Sequence, residues 1–401
     1  MNFIFISPNF PTNYYHFIHS LVNNGVTVFG IGDCQYDQLN DSLKKDLKEY
    51  YRVDNMNDYA QMYKAVAYFA YHYGPIDWLE SNNEYWLEND ARLREDFNIK
   101  TGNHTQQVQG LRYKSKMKAF YEKAGVKTAR YQLVDTPENA IKFIKKVGYP
   151  IIIKPDNGMG ASGTHKIKNN KDLTDYFQYW YDKDEPTIME EFIDGELVSF
   201  DGVCNSKKEI VYSTAHCYPT PIMTVLNEQT DFFFYSYPQV DAALAKAGNA
   251  VVKAFDCASR FFHLEFFILK KDKPGLGKKG DILGLEVNMR PPGGLAPDLF
   301  NYAADIDIYQ IWADMVTKDN TDIQPRSPRY CACYCARRYR HTYKKTIGII
   351  QAKYRNEIVN TIEVDPGLSD CMGDYAFIAR FDTIEQARKF IEDTVEVKIP
   401  C

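Results

Sequence analysis

The first hundred residues alternate between short apolar runs and longer segments in which apolar residues recur every three to four positions. Short runs of this kind predict β-strands, and the longer segments predict amphipathic helices between them. We predict strands at 2–6, 26–31, 51–53 and 76–79, and helices at 13–23, 58–73 and 84–97. Strands that alternate with helices form a parallel sheet with short connections. The pattern therefore predicts an N-terminal parallel α/β domain over residues 1–108.

The middle of the chain mixes strands and helices without this alternation. We predict helices at 111–124, 137–147, 297–304 and 308–317, and strands at 131–134, 149–154, 187–192, 197–204, 261–270 and 281–287. Two segments lack a clear period. We interpret 98–112 as a connection and 212–237 as an irregular, turn-rich segment.

The last part of the chain follows a polar segment with two prolines at 318–328. It contains predicted strands at 329–339, 358–364 and 375–380 and a predicted helix at 384–394. The pattern predicts a central domain over 109–320 and a small α+β C-terminal region over 321–401. Nothing in the C-terminal region indicates a chemical role.

Composition and charge narrow the class of protein. The chain has 401 residues, of which 45% are hydrophobic and 25% charged, and its formal net charge is −5. Such a chain is long enough for two or three domains, and it lacks the basic excess of nucleic-acid-binding proteins. It has no signal-peptide pattern and no apolar run near the roughly 20 residues of a membrane span. We therefore expect a cytoplasmic protein without a nucleic-acid or membrane partner.

Three of the nine cysteines alternate along one predicted strand, at Cys331, Cys333 and Cys335. An odd cysteine count fits a reducing cytosol. Zinc sites usually use the spacing C-x2-C, whereas C-x-C-x-C on a strand places three small, buriable side chains on one face. We interpret this cluster as part of the core and not as a metal site.

The strand at 281–287 is followed by an unusual polar pattern. Glu286, Asn288 and Arg290 alternate, so their side chains point to the same face. A carboxylate, an amide and a guanidinium on an apolar strand are costly unless each has a partner. A divalent cation carrying phosphate would provide such partners. The alternative is a buried Glu–Arg ion pair with a hydrogen-bonded Asn.

A second carboxylate favours the cation. Glu265 lies in the apolar strand 261–270, which a connection rich in lysine and glycine joins to the strand of Glu286. This hairpin-like connection predicts that Glu265 sits beside Glu286. Two adjacent carboxylates repel each other unless a divalent cation lies between them.

A glycine-rich loop follows the strand that ends at Lys154. Residues 156–164 read DNGMGASGT and contain the pattern G-x-G-x-x-G. The residues after it alternate like a strand, so the loop is a hairpin and not the opening of a dinucleotide-binding helix. Small residues let backbone N–H groups approach phosphate oxygens. The alternative is a plain glycine hairpin.

Three further polar positions have two interpretations each. Glu84 follows the fourth strand, and it either belongs to a helix start capped by Ser81 or Asn82 or contacts a substrate. The pair Glu190-Glu191 either marks an exposed edge strand or belongs to a site. His216 is either a packing residue or a substrate contact.

Taken together, residues 110–295 resemble the ATP-grasp superfamily. The resemblance rests on five features in the family's order: Lys114, ten residues before Ala124-Gly125; Lys154 before the glycine loop; the strand 187–193; Glu196; and Glu265 with Glu286-x-Asn288-x-Arg290. The segment EVNMRPPGG is most similar to the carbamoyl-phosphate-synthase-like and L-amino-acid-ligase branches of this superfamily. The resemblance implies an ATP-grasp fold that follows a pre-ATP-grasp domain, with a lid at about 130–187.

The resemblance also implies a role for each matching residue. It implies Mg²⁺ or Mn²⁺ on Glu265, Glu286 and Asn288, with Arg290 and Lys154 as catalytic residues. It implies substrate contacts from His216, Arg290, Gly293 and Gly294, to which the position of Glu84 after the fourth strand adds a fifth candidate. It implies that ATP binds to these residues: Lys114, Lys154, Gly158, Gly160, Ala161, Ser162, Gly163, Glu190, Glu191, Phe192, Ile193 and Glu196.

The implied reaction is that of an ATP-dependent carboxylate–amine ligase. Such an enzyme converts a substrate carboxylate to an acylphosphate, releases ADP and then phosphate, and joins the acyl group to an amine. Amino-acid-type substrates are expected. Dimers are common among related ligases, and this analogy alone suggests a homodimer. The sequence also leaves open a non-catalytic nucleotide-binding or regulatory protein on the same scaffold, and an enzyme of phosphotransfer or carboxylation without amide formation.

Overall fold

The computed structural model describes residues 1–158 and 163–398. They form three β-sheets with helices packed on their faces. Among the residues described, no helix is long and apolar enough to cross a membrane.

The N-terminal sheet has four parallel strands in the order β3-β2-β1-β4. Its strands are β1 (Asn2–Ile6), β2 (Thr27–Gly32), β3 (Glu49–Arg52) and β4 (Trp78–Glu80). Five helices accompany it: α1 (Tyr15–Asn23), α2 (Asp41–Asp46), α3 (Tyr59–Tyr73), α4 (Leu87–Asp96) and α5 (Thr105–Arg112). Helix α3 begins where the Asp58 side chain accepts a hydrogen bond from the Ala60 N–H, and it ends at Gly74, whose φ is +87°. The predicted parallel α/β sheet is confirmed.

A second sheet of four antiparallel strands has the order β5-β8-β6-β7. We call it the lid sheet, after the segment 130–187 that the family resemblance implies to be a lid. Its strands are β5 (Tyr131–Leu133), β6 (Ile151–Pro155), β7 (His165–Ile167) and β8 (Thr187–Glu191). The accompanying helices are α6 (Lys114–Lys123), α7 (Pro137–Val147) and α8 (Asn170–Tyr179). The strand predicted after the glycine loop is confirmed as β7.

The third sheet has eight antiparallel strands in the order β13-β12-β9-β10-β11-β14-β16-β15. We call it the large sheet. Its strands are β9 (Gly195–Cys204), β10 (Ile210–Tyr218), β11 (Phe233–Ser236), β12 (Arg260–Leu269), β13 (Ile282–Asn288), β14 (Cys331–Arg337), β15 (Ile358–Glu363) and β16 (Tyr375–Phe381). Its helices are α9 (Ile222–Glu228), α10 (Ala242–Ala254), α11 (Ala296–Ala304), α12 (Ile308–Lys318), α13 (Ile347–Lys353), α14 (Ser369–Met372) and α15 (Ile384–Val395). The C-terminal strands extend the sheet that begins in the central domain, and the boundary near residue 320 stays a prediction.

An aromatic core joins the N-terminal sheet to the large sheet. Phe17 of α1 contacts Phe261 of β12 and Trp312 of α12, with ring centroids 5.6 Å and 5.1 Å apart. The opposite face of β9 and β12 packs against α6 and α10 through a separate cluster that includes Tyr121 and Phe266. The ion pairs Glu80–Arg260 and Lys114–Glu286 place the carboxyl end of β4 and the start of α6 beside the β12–β13 pair.

Two sequence predictions about irregular segments are wrong. Residues 105–112 form helix α5, because Val108 and Leu111 of this polar segment lie in the core. Residues 210–218 form strand β10, which is buried on both faces over most of its length and has one register shift, between Ile210 and Tyr212. Burial on both faces removes the alternation that marks a strand in a sequence.

The cysteine strand is confirmed as core. Cys331, Cys333 and Cys335 lie on β14 and are fully buried, packed with Phe377 and Phe390. Within residues 1–158 and 163–398, no group of three or more His, Cys, Asp or Glu residues is placed to hold a metal.

Candidate active site

Two carboxylates face each other at the end of the large sheet. Glu265 on β12 lies directly opposite Glu286 on β13, and His263 lies opposite Asn288. Directly opposite residues on antiparallel strands share a face and have Cβ atoms about 4.5–5.5 Å apart. The prediction that Glu265 sits beside Glu286 is confirmed.

The first residue of α6 contacts this pair. Lys114 Nζ lies 3.1 Å from Glu286 Oε1 and donates a hydrogen bond to the Gly158 carbonyl at 2.6 Å. Lys114 therefore links the large sheet to the start of the glycine loop. This position fits the phosphate-binding role implied for Lys114.

A second carboxylate cluster lies on the lid sheet. Glu190 of β8 pairs with Lys118 of α6 at 2.5 Å and with Lys154 of β6 at 2.7 Å. Burial alone would raise the pKa of Glu190, but the two ammonium groups outweigh it and lower that pKa to about 2. Burial lowers the pKa of Lys118. Sequence reasoning missed Lys118, and the available signal was its i,i+4 spacing from Lys114, which puts both lysines on one helix face.

The alternative of an exposed edge strand for Glu190-Glu191 is wrong. Strand β8 lies between β5 and β6, and both glutamates are buried. Glu191 accepts two hydrogen bonds from Arg130, at 2.6 and 2.7 Å, and lies 2.8 Å from Lys273 Nζ. Buried charges require partners of this kind, and these come from distant parts of the chain.

Arg290 connects the carboxylate pair to the N-terminal sheet. Its Nη2 lies 2.6 Å from Glu84 Oε2 and 3.5 Å from Asn288 Oδ1. Arg112 Nη1 lies 3.8 Å from the other Glu84 oxygen, and this nitrogen is buried without a hydrogen-bond partner among the residues described. Glu84 thus faces two guanidinium groups at the junction of the two sheets.

The proposed capping by Ser81 or Asn82 is wrong. The Asn83 side chain accepts a hydrogen bond from the Tyr85 N–H at 3.0 Å and starts the helical turn. Ser81 Oγ instead donates to Asp90 at 2.6 Å. Glu84 is buried against Arg290, so its predicted substrate role stays open.

A buried charge cluster fixes the strand before Glu84. Glu80 lies between Arg94 and Arg260, at 2.9 and 3.1 Å. Arg260 belongs to β12, so this cluster ties β4 directly to the strand of Glu265. Sequence reasoning missed it because the three residues are far apart in the chain.

The glycine loop lies partly within the described residues. A Cβ on Gly158 would lie 2.9 Å from Pro155 Cβ, and one on Gly163 would lie 3.0 Å from Pro155 Cγ. Gly163 also has φ +67°, a backbone conformation that residues other than glycine rarely adopt. Gly160, Ala161 and Ser162 lie outside the described residues, so their implied contacts stay predictions.

The other implied nucleotide contacts lie further along the sheets. Ile193 is buried beside Leu269 of β12. The Lys166 ammonium lies over the ring of Phe192, with Nζ 3.9 Å from the ring centroid. Glu196 accepts a hydrogen bond from Cys217 Sγ at 2.8 Å. It is three residues along β9 from the position opposite Glu265, about 10 Å at the rise of a strand, and alternation points it to the other face. The structure therefore does not bring Glu196 into the lysine and carboxylate cluster.

His216 is not placed to contact a substrate. It lies on β10 with none of its side chain exposed, and its Nδ1 is 2.7 Å from Asp201. Its ring stacks on Phe300 with centroids 5.1 Å apart. The packing interpretation is the correct one, because the large sheet and α11 enclose the ring.

The turn after Arg290 contacts the N-terminal domain. Gly294 has φ +60°, and its carbonyl accepts a hydrogen bond from Asn13 Nδ2 at 3.2 Å. A Cβ on Gly293 would meet no atom within 4 Å, so its backbone is open to an approaching molecule. The substrate roles of both glycines stay predictions.

The donor atoms of the carboxylate pair fit a hard divalent cation. Glu265, Glu286 and Asn288 offer only oxygen ligands, and they lie on adjacent strands of one sheet face. Mg²⁺ takes such ligands and fills its remaining positions with waters and substrate phosphates. Two protein carboxylates and one amide oxygen are therefore enough protein ligands for an Mg²⁺ ion that also binds waters and substrate phosphates.

Comparison with known proteins matches the middle of the chain to one family. The family model described as the ATP-grasp domain matches residues 119–291. The D-alanine–D-alanine ligase of Flavobacterium johnsoniae is 28% identical over 205 residues, which cover 46% of this chain and 61% of that protein. The alanine–anticapsin ligase of Bacillus subtilis is 25% identical over 234 residues, which cover 50% of this chain and 47% of that protein.

A solved structure extends the likeness to the whole chain. The L-amino acid ligase from Bacillus licheniformis superposes with a TM-score of 0.72 over 100% of this chain and 99% of that chain, at 16% identity. At this identity the likeness shows the fold alone. The chain carries an ATP-grasp domain within the ATP-grasp fold, and the superfamily resemblance seen in the sequence is confirmed. Because the chain spans about half to three fifths of the two relatives' lengths, its own activity is a separate question.

Proposed function

We propose that the protein is an ATP-dependent carboxylate–amine ligase acting on amino-acid-type substrates. The observation that carries the proposal is the placement of Glu265 directly opposite Glu286, with Lys114 at 3.1 Å from Glu286. Two carboxylates beside a lysine and a glycine-rich loop are the groups expected to bind a nucleoside triphosphate together with a divalent cation.

The lysines supply positive charge for the phosphates. Lys114 and Lys154 neutralise phosphate oxygens as point charges, and Lys118 holds Glu190. Glu265, Glu286 and Asn288 would hold Mg²⁺ or Mn²⁺, and this ion would supply further charge neutralisation. The lid sheet would cover the nucleotide.

Arg290 and Glu84 provide for the second substrate. The Arg290 guanidinium is a bidentate partner for a carboxylate or a transferred phosphoryl group, and it is 2.6 Å from Glu84. Glu84 is a partner for an amino group. A neighbouring cation and anion match the two charged groups of an amino acid. Both relatives described above are named as ligases of alanine.

The proposed reaction proceeds in two steps. A carboxylate oxygen of the first substrate attacks the γ-phosphorus of ATP, and ADP leaves. The amine nitrogen of the second substrate then attacks the acyl carbon, phosphate leaves, and the nitrogen loses a proton. No covalent protein intermediate is required, since positioning and charge neutralisation lower the barrier.

A product analysis tests the proposal. The protein is incubated with ATP, Mg²⁺ and pairs of amino acids, and released phosphate, nucleotides and coupled products are separated by chromatography and mass spectrometry. We expect ADP, phosphate and an amide in equal amounts. AMP as the stoichiometric nucleotide product rejects the acylphosphate route. Phosphate release that needs no amine and yields no amide favours phosphotransfer without ligation.

A further inference from the structure

A buried polar network lies on the same face of the large sheet as Glu265. Its centre is Asp201 on β9, which is fully buried. The Asp201 carboxylate is 2.5 Å from Ser199 Oγ, 2.7 Å from His216 Nδ1 and 2.5 Å from His263 Nδ1. Three strands, β9, β10 and β12, therefore direct a polar group at one carboxylate.

His263 carries this network to the carboxylate pair. It lies two residues before Glu265 on β12, so both side chains point to the same face. Its Nδ1 faces Asp201, and its Nε2 lies 3.4 Å from Glu265 Oε1. One imidazole thus lies between a buried carboxylate and an outer carboxylate.

His216 shares Asp201 but does not reach the site. Its Nε2 is buried and has no hydrogen-bond partner among the residues described. Its ring stacks on Phe300, away from Glu265. Both histidines therefore contact Asp201 through Nδ1, His263 at Oδ1 and His216 at Oδ2, but of the two it is His263 whose second nitrogen lies near Glu265.

We propose that Asp201 and His263 are positioning residues that fix the Glu265 carboxylate for a divalent cation. This inference rests on the proposed function, in which Glu265 holds the metal. Partners of this kind orient metal ligands, and their loss typically weakens metal binding by roughly 10–100-fold. Asp201 fixes the ring of His263, and His263 Nε2 then selects one orientation of the Glu265 side chain.

The test is Mn²⁺ binding, measured by electron paramagnetic resonance with a non-hydrolysable ATP analogue bound to the full chain. The His263→Asn variant keeps a nitrogen near the Nδ1 position, facing Asp201, and removes the nitrogen that faces Glu265. The His263→Gln variant places a nitrogen near the Nε2 position. The matched control is His216→Asn, which alters the other histidine on Asp201.

We expect His263→Asn to weaken Mn²⁺ binding by roughly 10–100-fold. His263→Gln recovers part of this loss, and His216→Asn leaves Mn²⁺ affinity unchanged. Binding of the analogue without metal stays the same in all three variants. Wild-type Mn²⁺ affinity in His263→Asn overturns the inference.

Equal loss in His263→Asn and His216→Asn, together with lowered melting temperatures, also overturns it, because that result indicates a structural role only. Glu265→Gln separates this inference from the proposed function. If Glu265→Gln loses Mn²⁺ and His263→Asn does not, only the positioning role fails. If wild type and Glu265→Gln bind Mn²⁺ equally, or neither binds it, the metal site fails and the inference fails with it.

Discussion

Two strands of the large sheet carry potential metal ligands at alternating positions, and only one of the two faces the candidate active site. On β14, Cys331, Cys333 and Cys335 are fully buried in the sheet interior. On β13, at the end of the strand order, the Glu286 side chain keeps 17% of its surface exposed and faces Lys114. Spacing alone does not define a ligand set. The position of the strand in the sheet decides whether its side chains meet solvent and counter-charges.

Electrostatics separates the two strands in the same way. Burial raises the pKa of Cys331 to about 12, so its thiol stays protonated. A cysteine binds a metal ion as the deprotonated thiolate. Near β13, by contrast, lysines lower the pKa of Glu190 to about 2, against burial. The environment of β14 thus disfavours charge, and the environment around β13 and β8 supplies partners for it.

The strongest test of this difference changes Glu286. Glu286→Gln keeps the side-chain shape and removes the charge, so the fold is retained. We expect turnover to fall by roughly 100-fold or more, because even indirect partners of metal ligands are worth 10–100-fold. The measurement is steady-state phosphate release at limiting Mg²⁺, with circular dichroism as the folding control. Near-wild-type turnover at limiting Mg²⁺ contradicts the metal assignment.

The next test addresses the end of the β13 pattern. Arg290→Lys keeps the charge and loses the planar fork that pairs with oxyanions. We expect the barrier in kcat/KM to rise by about 2–4 kcal/mol, as for the loss of one oxyanion donor. ATP affinity, measured by titration calorimetry, serves as the control and stays close to wild type. An unchanged kcat/KM removes Arg290 from the proposed chemistry.

A pH titration tests the charge pairing on the lid sheet. The folded protein lowers the pKa of Glu190 from its ordinary 4.5 to about 2, so the unfolded chain binds the proton more readily. The pairing therefore stabilises the fold fully above pH about 4.5, and this contribution is lost as the pH falls towards 2.

Lys118→Met is the variant for that titration. It removes one of the two cations at Glu190, so the pKa of Glu190 in the folded protein rises towards its ordinary value. The acid-induced loss of unfolding free energy still begins near pH about 4.5, but it is smaller and is complete at a higher pH. Urea unfolding of both proteins from about pH 7 to about pH 3 measures the difference. Parallel pH profiles contradict the pairing.

The smallest effect on activity is expected on β14. Cys333→Ser buries a hydroxyl in an apolar core, and it should lower the free energy of unfolding by roughly 1–3 kcal/mol. Turnover per folded molecule stays unchanged. Urea unfolding and kinetic assays check both statements, with Cys333→Ala as the apolar control. Zinc in the purified wild type that disappears in Cys333→Ser revives the metal interpretation.

Local patterns predicted what depends on neighbours in the sequence. The pairing of Glu265 with Glu286 followed from a short connection between two apolar strands, and the core role of Cys333 followed from strand alternation. The strand β10 was missed because burial on both faces hides its period.

Long-range pairing was beyond prediction. Glu190 is buried because Lys118 and Lys154 reach it from two other elements, and no local pattern reveals this. The contact of Asp201 with His216 and His263 joins three strands in the same way. In each case the partner of a charge is set by how strands and helices from distant parts of the chain pack together.

The junction of β11 with β14 has a consequence for how the chain is made. Strand β14 covers the edge of β11 that faces away from β10, and it is synthesised long after β11. At roughly 5–20 residues per second, the ribosome takes roughly 5–20 s to pass from Ser236 to Cys331. During that interval the nascent β11 has an open edge, and its length of four residues limits how well it can template a foreign strand. Substitutions in the C-terminal region are thus expected to act on the yield of folded protein during synthesis more than on the chemistry of the finished molecule.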